Sequence, residues 1–363
     1  MKLLYIVPNV NNEGGVARVL AIKANYLLEK LGYEVHILTQ NNGNSPLFYS
    51  FNEKIVFHDM ILKGSGFQFV NSYRKSLKNK IKTINPDIIL VCDNGLKAYT
   101  IPFILKTKIP IIFEIHGSKF IQEKQNNKHE VLTKLKLLFK DYSAKKFTKF
   151  VALSNESLKE WNLTNGIVIP NPLWFKTNQF PDLNSKKVIV VARHSYEKGL
   201  ERLLLIWQKV VQKHPDWILD IYGKPNSDLG LQKLAQSLNL SNNVAFYEPV
   251  KDINEKYLEA SFYVMTSHYE GFPMVLIEAM ASGLPCVAYD CPCGPRAIIS
   301  NDENGFLVEN GNENDFVEAI NLLIENKNKR FRMAETAKKS TEKYNIDIIM
   351  QTWNELFVEI KTK

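Results

Sequence analysis

The sequence predicts an α/β protein made of two doubly wound domains facing across a cleft. Three observations carry that reading. The chain has 363 residues, more than one average core accommodates, so two domains of about 170 residues each are the natural division. Short apolar runs that end in turn residues alternate with amphipathic helical stretches, as expected of buried parallel strands joined by crossover helices. The rhythm breaks once, over the polar segment NPLWFKTNQFPDLNSKK at 171–187, and then restarts. That segment reads as the linker, with a first domain over 1–175 and a second over 185–344. The terminal stretch, about 345–363, is a candidate to pack back onto the first domain.

Taken in order, Leu3 to Val7 reads as the first strand and NVNNEGG as the loop after it. Val16 to Leu31 is an amphipathic helix stopped by Gly32, and YEVHILT is the next strand. PDIILVC and IPIIFEIHG are later buried strands, and residues 119–149 are helical, Lys-rich and polar on one side. Beyond the linker, KVIVVAR is a strand, HSYEKG a loop and Leu200 to Lys213 a long helix. WILDIYG, NVAFYEP, SFYVMTS and LPCVAYD are strands, separated by helices in LGLQKLAQSLNL, VKDINEKYLEA and the stretch after Pro273. From Asp315 onward the chain is mostly helix.

Apolar residues make up 45% and charged residues 23% of the chain, an ordinary globular composition. No run approaches the roughly 20 apolar residues a membrane helix needs. LLYIVPNV meets Pro8 and then Asn-rich sequence, which reads as a strand rather than a signal peptide or anchor. Four cysteines, three of them in CVAYDCPC, make no disulfide framework, and Cys291 with Cys293 lacks the second pair a zinc site needs. A reducing cytoplasm fits. The charge is uneven: residues 1–180 hold 25 Lys and Arg against 13 Asp and Glu, while residues 181–363 hold 21 against 25. The basic first half suits an anionic membrane surface or a phosphorylated ligand. No nucleic-acid motif accompanies it, and solvated lysine faces explain it equally well. Leu135, Leu138, Tyr142 and Phe150 fall near one helical face, with Lys136, Lys140, Lys145 and Lys146 elsewhere, as in an interfacial helix.

Ligands of doubly wound sheets bind beyond the carboxyl ends of the strands, and three loops lie there. In NNEGGVAR, Gly14 and Gly15 permit close backbone approach ahead of a helix N-terminus that suits an anion. The three-glycine dinucleotide spacing is absent, and the second strand ends in Thr39-Gln40 rather than an acid, which argues against a nicotinamide cofactor. In ARHSYEKG, Arg193 and Lys198 are placed to neutralise a diphosphate, Arg with a planar fork and Lys as a point charge.

The third loop is EGFPMVLIEAMASGLPCVA, from 270. Pro273 suits the first helical position and Gly283 the residue past the end. Between them Glu278 is the one charge on an apolar, hence buried, helix, where a carboxylate is costly without a partner. That partner is either structural, a Lys or a backbone N–H, or a ligand hydroxyl. The N–H groups of Met274 through Leu276 open toward a phosphate, and Glu278 lies about 7.5 Å further along the axis. A nucleoside diphosphate laid along this helix puts its ribose beside Glu278 and its sugar beside Glu270. No D-x-D pair occurs, so the reading needs no metal and no cofactor beyond the donor itself.

These residues resemble the E-x7-E signature of retaining GT-B glycosyltransferases, family 4 in particular. The likeness extends to EGGVAR, to HG after a first-domain strand, to VIPNP, to R-x4-KG and to NGFLVENGNENDF, in the family's order over nearly the whole chain. It implies two Rossmann-like domains and transfer from a nucleotide sugar with retained configuration. By the resemblance Glu278 holds ribose hydroxyls, Glu270 the donor sugar, and Arg193 and Lys198 the diphosphate, with Gly271, Phe272, Pro273, Met274 and the amides of Val275 and Leu276 around them. It places His116 at the sugar, Gly15 near the phosphates and Val250 by the base, where backbone contacts suit uracil. A UDP-sugar donor and a glycan or lipid-linked acceptor in surface polysaccharide synthesis are implied, at the cytoplasmic membrane face. The glycine loop departs from the pattern: Gly294-Pro295-Arg296-Ala297 lacks the usual acid. A nucleotide-sugar 2-epimerase of the same fold and a non-catalytic binding subunit are the alternatives; acceptor-dependent transfer separates them.

Overall fold

The computed structural model describes residues 1–43, 45–120, 130–250 and 252–362. It divides the chain into two compact units, Met1–Trp174 with Ile346–Lys363, and Phe175–Asn345.

The first unit runs β1 (Lys2–Ile6), α1 (Gly15–Glu29), β2 (Glu34–Gln40), β3 (Val56–Met60), α2 (Gly66–Ile84), β4 (Ile88–Val91), α3 (Ile101–Leu105), β5 (Ile111–Glu114), α4 (Glu130–Ala144), β6 (Lys149–Ala152), α5 (Asn155–Lys159) and β7 (Gly166–Val168). Its seven strands are all parallel in the order β3-β2-β1-β4-β5-β6-β7. The central strands are short apolar runs buried on both faces, such as IILV in β4 and IIFE in β5.

The second unit runs β8 (Lys187–Val191), α6 (Leu200–Lys213), β9 (Ile218–Tyr222), α7 (Leu231–Ser237), β10 (Val244–Tyr247), α8 (Asn254–Leu258), β11 (Phe262–Met265), α9 (Met274–Ala281), β12 (Cys286–Asp290), α10 (Pro295–Ile298), β13 (Gly305–Glu309), α11 (Glu313–Glu325) and α12 (Lys327–Ser340). Its sheet is parallel, in the order β10-β9-β8-β11-β12-β13. The winding reverses between β8 and β11, and a crevice at that switch point is where such sheets take ligands.

The last helix, α13 (Ile346–Thr362), returns to the first unit. Its Ile349, Met350, Trp353, Leu356 and Phe357 are buried with α1 on one face of the first sheet. Tyr73, Leu77 and Ile81 of α2, Ile101 of α3 and Ala144 of α4 bury the other face. Among the described residues no helix is long and apolar enough to cross a membrane.

Several sequence expectations shift. The segment 171–187 contains the division between the units and is packed in places: Asn171 and Leu173 are buried, and further on Leu183 accepts Arg330 and Ser261 through its carbonyl. Of the helix expected over 119–149, residues 121–129 lie outside the described ones and the helix covers Glu130–Ala144. Phe150 is not on that helix at all; it is a fully buried residue of β6. Lys140 is buried as well, its Nζ 3.5 Å from the Lys119 carbonyl, because it points at the unit rather than at solvent. β3 and α2 were not anticipated. β3 is an edge strand in which only Met60 is buried, so it carries no apolar run to read.

Candidate functional site

The loops after β8 and β11 are locked together at the switch point. Gly199, with φ +58°, sits where an added Cβ would lie 2.2 Å from the Thr266 carbonyl oxygen, so only glycine lets the two loops touch. Thr266 returns a hydrogen bond from its hydroxyl to the Gly199 carbonyl at 2.9 Å. From the first turn of α6, Arg202 donates to the carbonyls of Thr266 and Ser267 and to Asn310, with its guanidinium 4.4 Å from the Tyr289 ring centroid. On this clamp Lys198 and Glu270 meet. The Lys198 Nζ is 2.7 Å from Glu270 Oε1, and the Ser267 hydroxyl donates to the same oxygen at 2.6 Å. Glu270 is 8% exposed. Lys198, Ser267, Glu270 and Val275 line one small recess with the end of β8.

The loop after β12 closes on the same region. The Glu270 N–H donates to the Pro292 carbonyl at 3.2 Å. Gly294 has φ +110°, and a Cβ there would lie 2.4 Å from Pro273 Cδ. Phe272 is buried edge-on against Tyr344. Gly271 precedes it, partly buried.

Pro273 is the residue before the first helical one, not the first helical residue, a shift of one position. A second correction concerns the helix N-terminus: the Leu276 N–H already donates to the Pro273 carbonyl at 3.0 Å. A tight first turn takes up that donor, so Met274 and Val275 remain the helix-start amides to consider. Glu278 is fully buried and accepts the Tyr257 hydroxyl at 3.4 Å. A structural partner of Glu278 is thus a tyrosine of α8. The Arg193 guanidinium pairs with Glu197 at 3.2 Å and its side chain is 60% exposed. Val250, after β10, is exposed.

In the first unit, Gly15 opens α1 with no atom within 4 Å of where a Cβ would sit, and no side chain caps that helix. The crowded glycine is Gly14, whose Cβ would meet Asn12 at 2.6 Å. His116 follows β5 with its side chain 6% exposed. Its backbone N–H donates to Asn94 at 3.2 Å; Nε2 is 3.5 Å from Glu114 Oε1 and makes no hydrogen bond. Burial pushes the imidazole pKa down, and the Glu114 charge offsets only part of this. Glu114 itself is bound at both oxygens by Lys23, each at 2.7 Å, and that ammonium lies 3.9 Å from the Trp353 ring centroid. Burial opposes the Glu114 charge, yet Lys23 and His116 outweigh it and hold the carboxyl below its usual range.

Cys92, Glu114 and His116 bring potential metal-ligand atoms within 4.8 Å of one another. The chemistry does not fit a metal centre. Lys23 occupies both Glu114 oxygens, and burial pushes the Cys92 thiol well up, away from the thiolate a metal requires. The cluster is an ion-paired core. Ser267 and Arg202 escaped the sequence reading. Ser267 carries a weak signal in its three-residue spacing to Glu270, whereas nothing local marks Arg202.

Comparison with known proteins places both halves. Residues 13–173 match the model of Glycosyltransferase Family 4, and residues 175–340 that of Glycosyl transferases group 1. An uncharacterized glycosyltransferase of Haemophilus influenzae is 30% identical over 97% of this chain and 98% of its own length. The amylovoran biosynthesis glycosyltransferase AmsD of Erwinia amylovora is 27% identical over 98% of this chain and 99% of its own. The structure of S. aureus TarM in complex with fondaparinux, α-GlcNAc-glycerol and UDP superposes with a TM-score of 0.79 at 16% identity, over 98% of this chain and 99% of that one.

Proposed function

Because the chain belongs to the group 1 glycosyltransferases and has their two-domain GT-B fold, we propose that it moves a hexose or N-acetylhexosamine from a UDP-sugar to a glycan or lipid-linked glycan, with retention and without a metal. The Lys198–Glu270 contact at the switch point is the observation that carries this reading. A nucleoside diphosphate leaving group develops negative charge, and a cation held in place beforehand stabilises that charge without reorganising. Lys198 is such a cation. When the donor enters, its ammonium passes from Glu270 toward the diphosphate, which frees the Glu270 carboxylate to accept hydroxyls of the donor sugar. Arg193 reaches the same phosphates by leaving Glu197, an exposed pair worth little. Val275 and Met274 add helix-start amides, and Glu278 takes the ribose, with Tyr257 as its resident partner.

In the same reading His116 acts toward the donor sugar, Gly15 toward the phosphates and Val250 toward the base. Burial lowers the His116 pKa, which favours the neutral ring that offers a hydrogen bond without a competing charge. AmsD works in amylovoran biosynthesis, which supports polysaccharide synthesis as the setting, and the TarM mutant of that structure is in complex with UDP, which supports a UDP-linked donor. The basic first half adds a peripheral location on anionic membrane. The test is a screen of UDP-, GDP- and ADP-sugars for hydrolysis and for acceptor-dependent transfer. Turnover confined to UDP-sugars and stimulated by a glycan acceptor is expected; epimerised donor without any transfer overturns the reading in favour of an isomerase.

A further inference from the structure

The helical layer of the first unit that contains α2, α3 and α4 has an outer surface unlike the rest of the chain. On α4, Val131, Leu132, Leu135, Leu138 and Tyr142 recur at helical spacing and each is more than half exposed. Beside them Lys134, Lys136, Lys145 and Lys146 are exposed too. Asp141 lies on the same helix, but Lys119 engages it at 2.5 Å. Phe103 of α3 stacks on Tyr142, which joins the middle helix to the stripe.

α2 repeats the composition with a different arrangement. Its leading end carries Phe67 and Val70, exposed at 86% and 58%, and Ile61 in the loop before it is 71% exposed. Behind that apolar tip come exposed Arg74, Lys75, Lys78 and Lys82. From residue 61 to residue 85 the sequence holds six Lys and Arg and no acid, and from 94 to 113 it again holds no acid. α2 and α4 bury their inner sides in one core on one face of the sheet, so both outer surfaces belong to the same side of this unit.

Large exposed apolar side chains in this density mark a surface that something covers. We infer that this α2–α4 layer docks on an anionic lipid bilayer, with Phe67, Val70, Leu135 and Leu138 entering the headgroup boundary and the flanking cations meeting lipid phosphates. Charge complementarity selects that occupant. A second copy in a two-fold contact sets this face against itself, cation opposing cation. A nucleic acid satisfies the lysines and leaves the leucines, valines and Phe67 unexplained. A bilayer accepts both components, and it accepts isolated protrusions such as Phe67 that a rigid protein partner matches only with a dedicated cavity.

The inference rests on the peripheral location proposed above and assigns it to named side chains. The experiment is co-sedimentation of the full chain with phosphatidylglycerol-rich vesicles and with pure phosphatidylcholine vesicles, over a salt series. Wild type is expected on the anionic vesicles alone, with binding that weakens as salt shortens the Debye length. Arg74, Lys75, Lys78 and Lys82 changed together to Gln remove about fivefold in partitioning per cation, on the order of hundredfold or more together. Phe67→Ser with Val70→Ser, and Leu135→Ser with Leu138→Ser, each weaken binding by a factor that persists at high salt, where the effect of the cation variant shrinks, because the apolar share is unscreened. All of these side chains are exposed, and unchanged thermal midpoints check the fold. Wild-type binding by every variant overturns this assignment while leaving the peripheral location standing. No binding of wild type to anionic vesicles, equal binding to neutral ones, or a dimer in gel filtration that the serine variants dissolve overturns both.

Discussion

The ammonium of Lys198 stands 2.7 Å from Glu270 Oε1, across 72 positions of sequence, and the Ser267 hydroxyl donates to the same oxygen. The pair joins the ends of β8 and β11, so each partner fixes the other before any donor arrives. Lys198→Ala leaves a nearly buried carboxylate without its cation and leaves the diphosphate without its counter-charge. Turnover is expected to fall by about 10²–10³, the usual cost of losing one preorganised group aimed at developing charge. The same assay in excess EDTA should continue in wild type. Loss of transfer in EDTA with recovery on magnesium defeats the cation-based account.

Glu278 and Tyr257 give a second test, because two substitutions separate binding from folding. Glu278→Gln keeps the shape and removes charge-assisted hydrogen bonds, typically about 1.5–3 kcal/mol. UDP affinity by calorimetry is expected to drop roughly tenfold or more. Tyr257→Phe removes the hydroxyl that Glu278 accepts in the donor-free protein and costs stability instead, about 1–3 kcal/mol for a buried acceptor that loses a partner. Unchanged UDP affinity in a folded Glu278→Gln protein removes Glu278 from the donor site.

Gly294→Ala places a methyl group 2.4 Å from Pro273 Cδ at a backbone φ of +110°. Neither clash nor strain has a cheap escape, so the loop after β12 must lift from the start of α9. Donor affinity is expected to fall along with the thermal midpoint, and the loss of affinity persists at temperatures where the protein stays folded. Gly15→Ala is the control: open space surrounds that position, so its fold stays intact and any effect reports on ligand.

The Lys23–Glu114 pair makes a prediction about pH. Burial alone raises the Glu114 pKa, but Lys23 and His116 hold it below the ordinary glutamate value of 4.5. A depressed carboxyl stabilises the fold above the unfolded pKa, and that contribution is lost as pH falls through the folded one. Lys23→Met removes the partner and leaves burial in charge, so the Glu114 contribution reverses sign near pH 4.5 and stability falls as pH rises. At neutral pH the substitution should cost about 3–5 kcal/mol, as breaking a buried pair does. Urea titrations of wild type and variant over a pH series read both effects. His116 follows from the same cluster: burial lowers its pKa below 6.5 while Glu114 raises it, so Glu114→Gln should lower it further. Imidazole titration by NMR reports this, and an unchanged or raised value defeats the assignment of Glu114 as the charge that offsets burial.

Local signals were legible in the sequence and distant ones were not. The helix Leu200–Lys213 was placed to the residue, since an amphipathic repeat follows Gly199 and runs out before Pro215. Glu278 stood out because one charge on an apolar helix is conspicuous, yet its tyrosine partner comes from another helix 21 positions away. Lys198 and Glu270 were each singled out, but their contact exists only once β8 and β11 are neighbours in the sheet. Arg202 looks like any surface cation of an amphipathic helix; only the fold shows two loop carbonyls waiting for it. Lys140 and Phe150 were misplaced for the converse reason. A helical wheel drawn past the end of α4 has no meaning, and a lysine's direction depends on which side the sheet lies.

The return of α13 to the first unit has a bearing on biosynthesis. On a translating ribosome all seven strands of that unit emerge before any of the second unit, whereas Trp353, Phe357 and Met350, which cover one face of the sheet, follow only after the second unit is complete. Through that interval α1 covers that side of the nascent sheet without α13, and the Lys23 ammonium lacks the indole ring that later lies over it. The first unit to be made is therefore the last to be finished. Residues 1–174 alone lack the apolar cover that α13 supplies, and adding 346–363 as a separate peptide is the natural way to complete them.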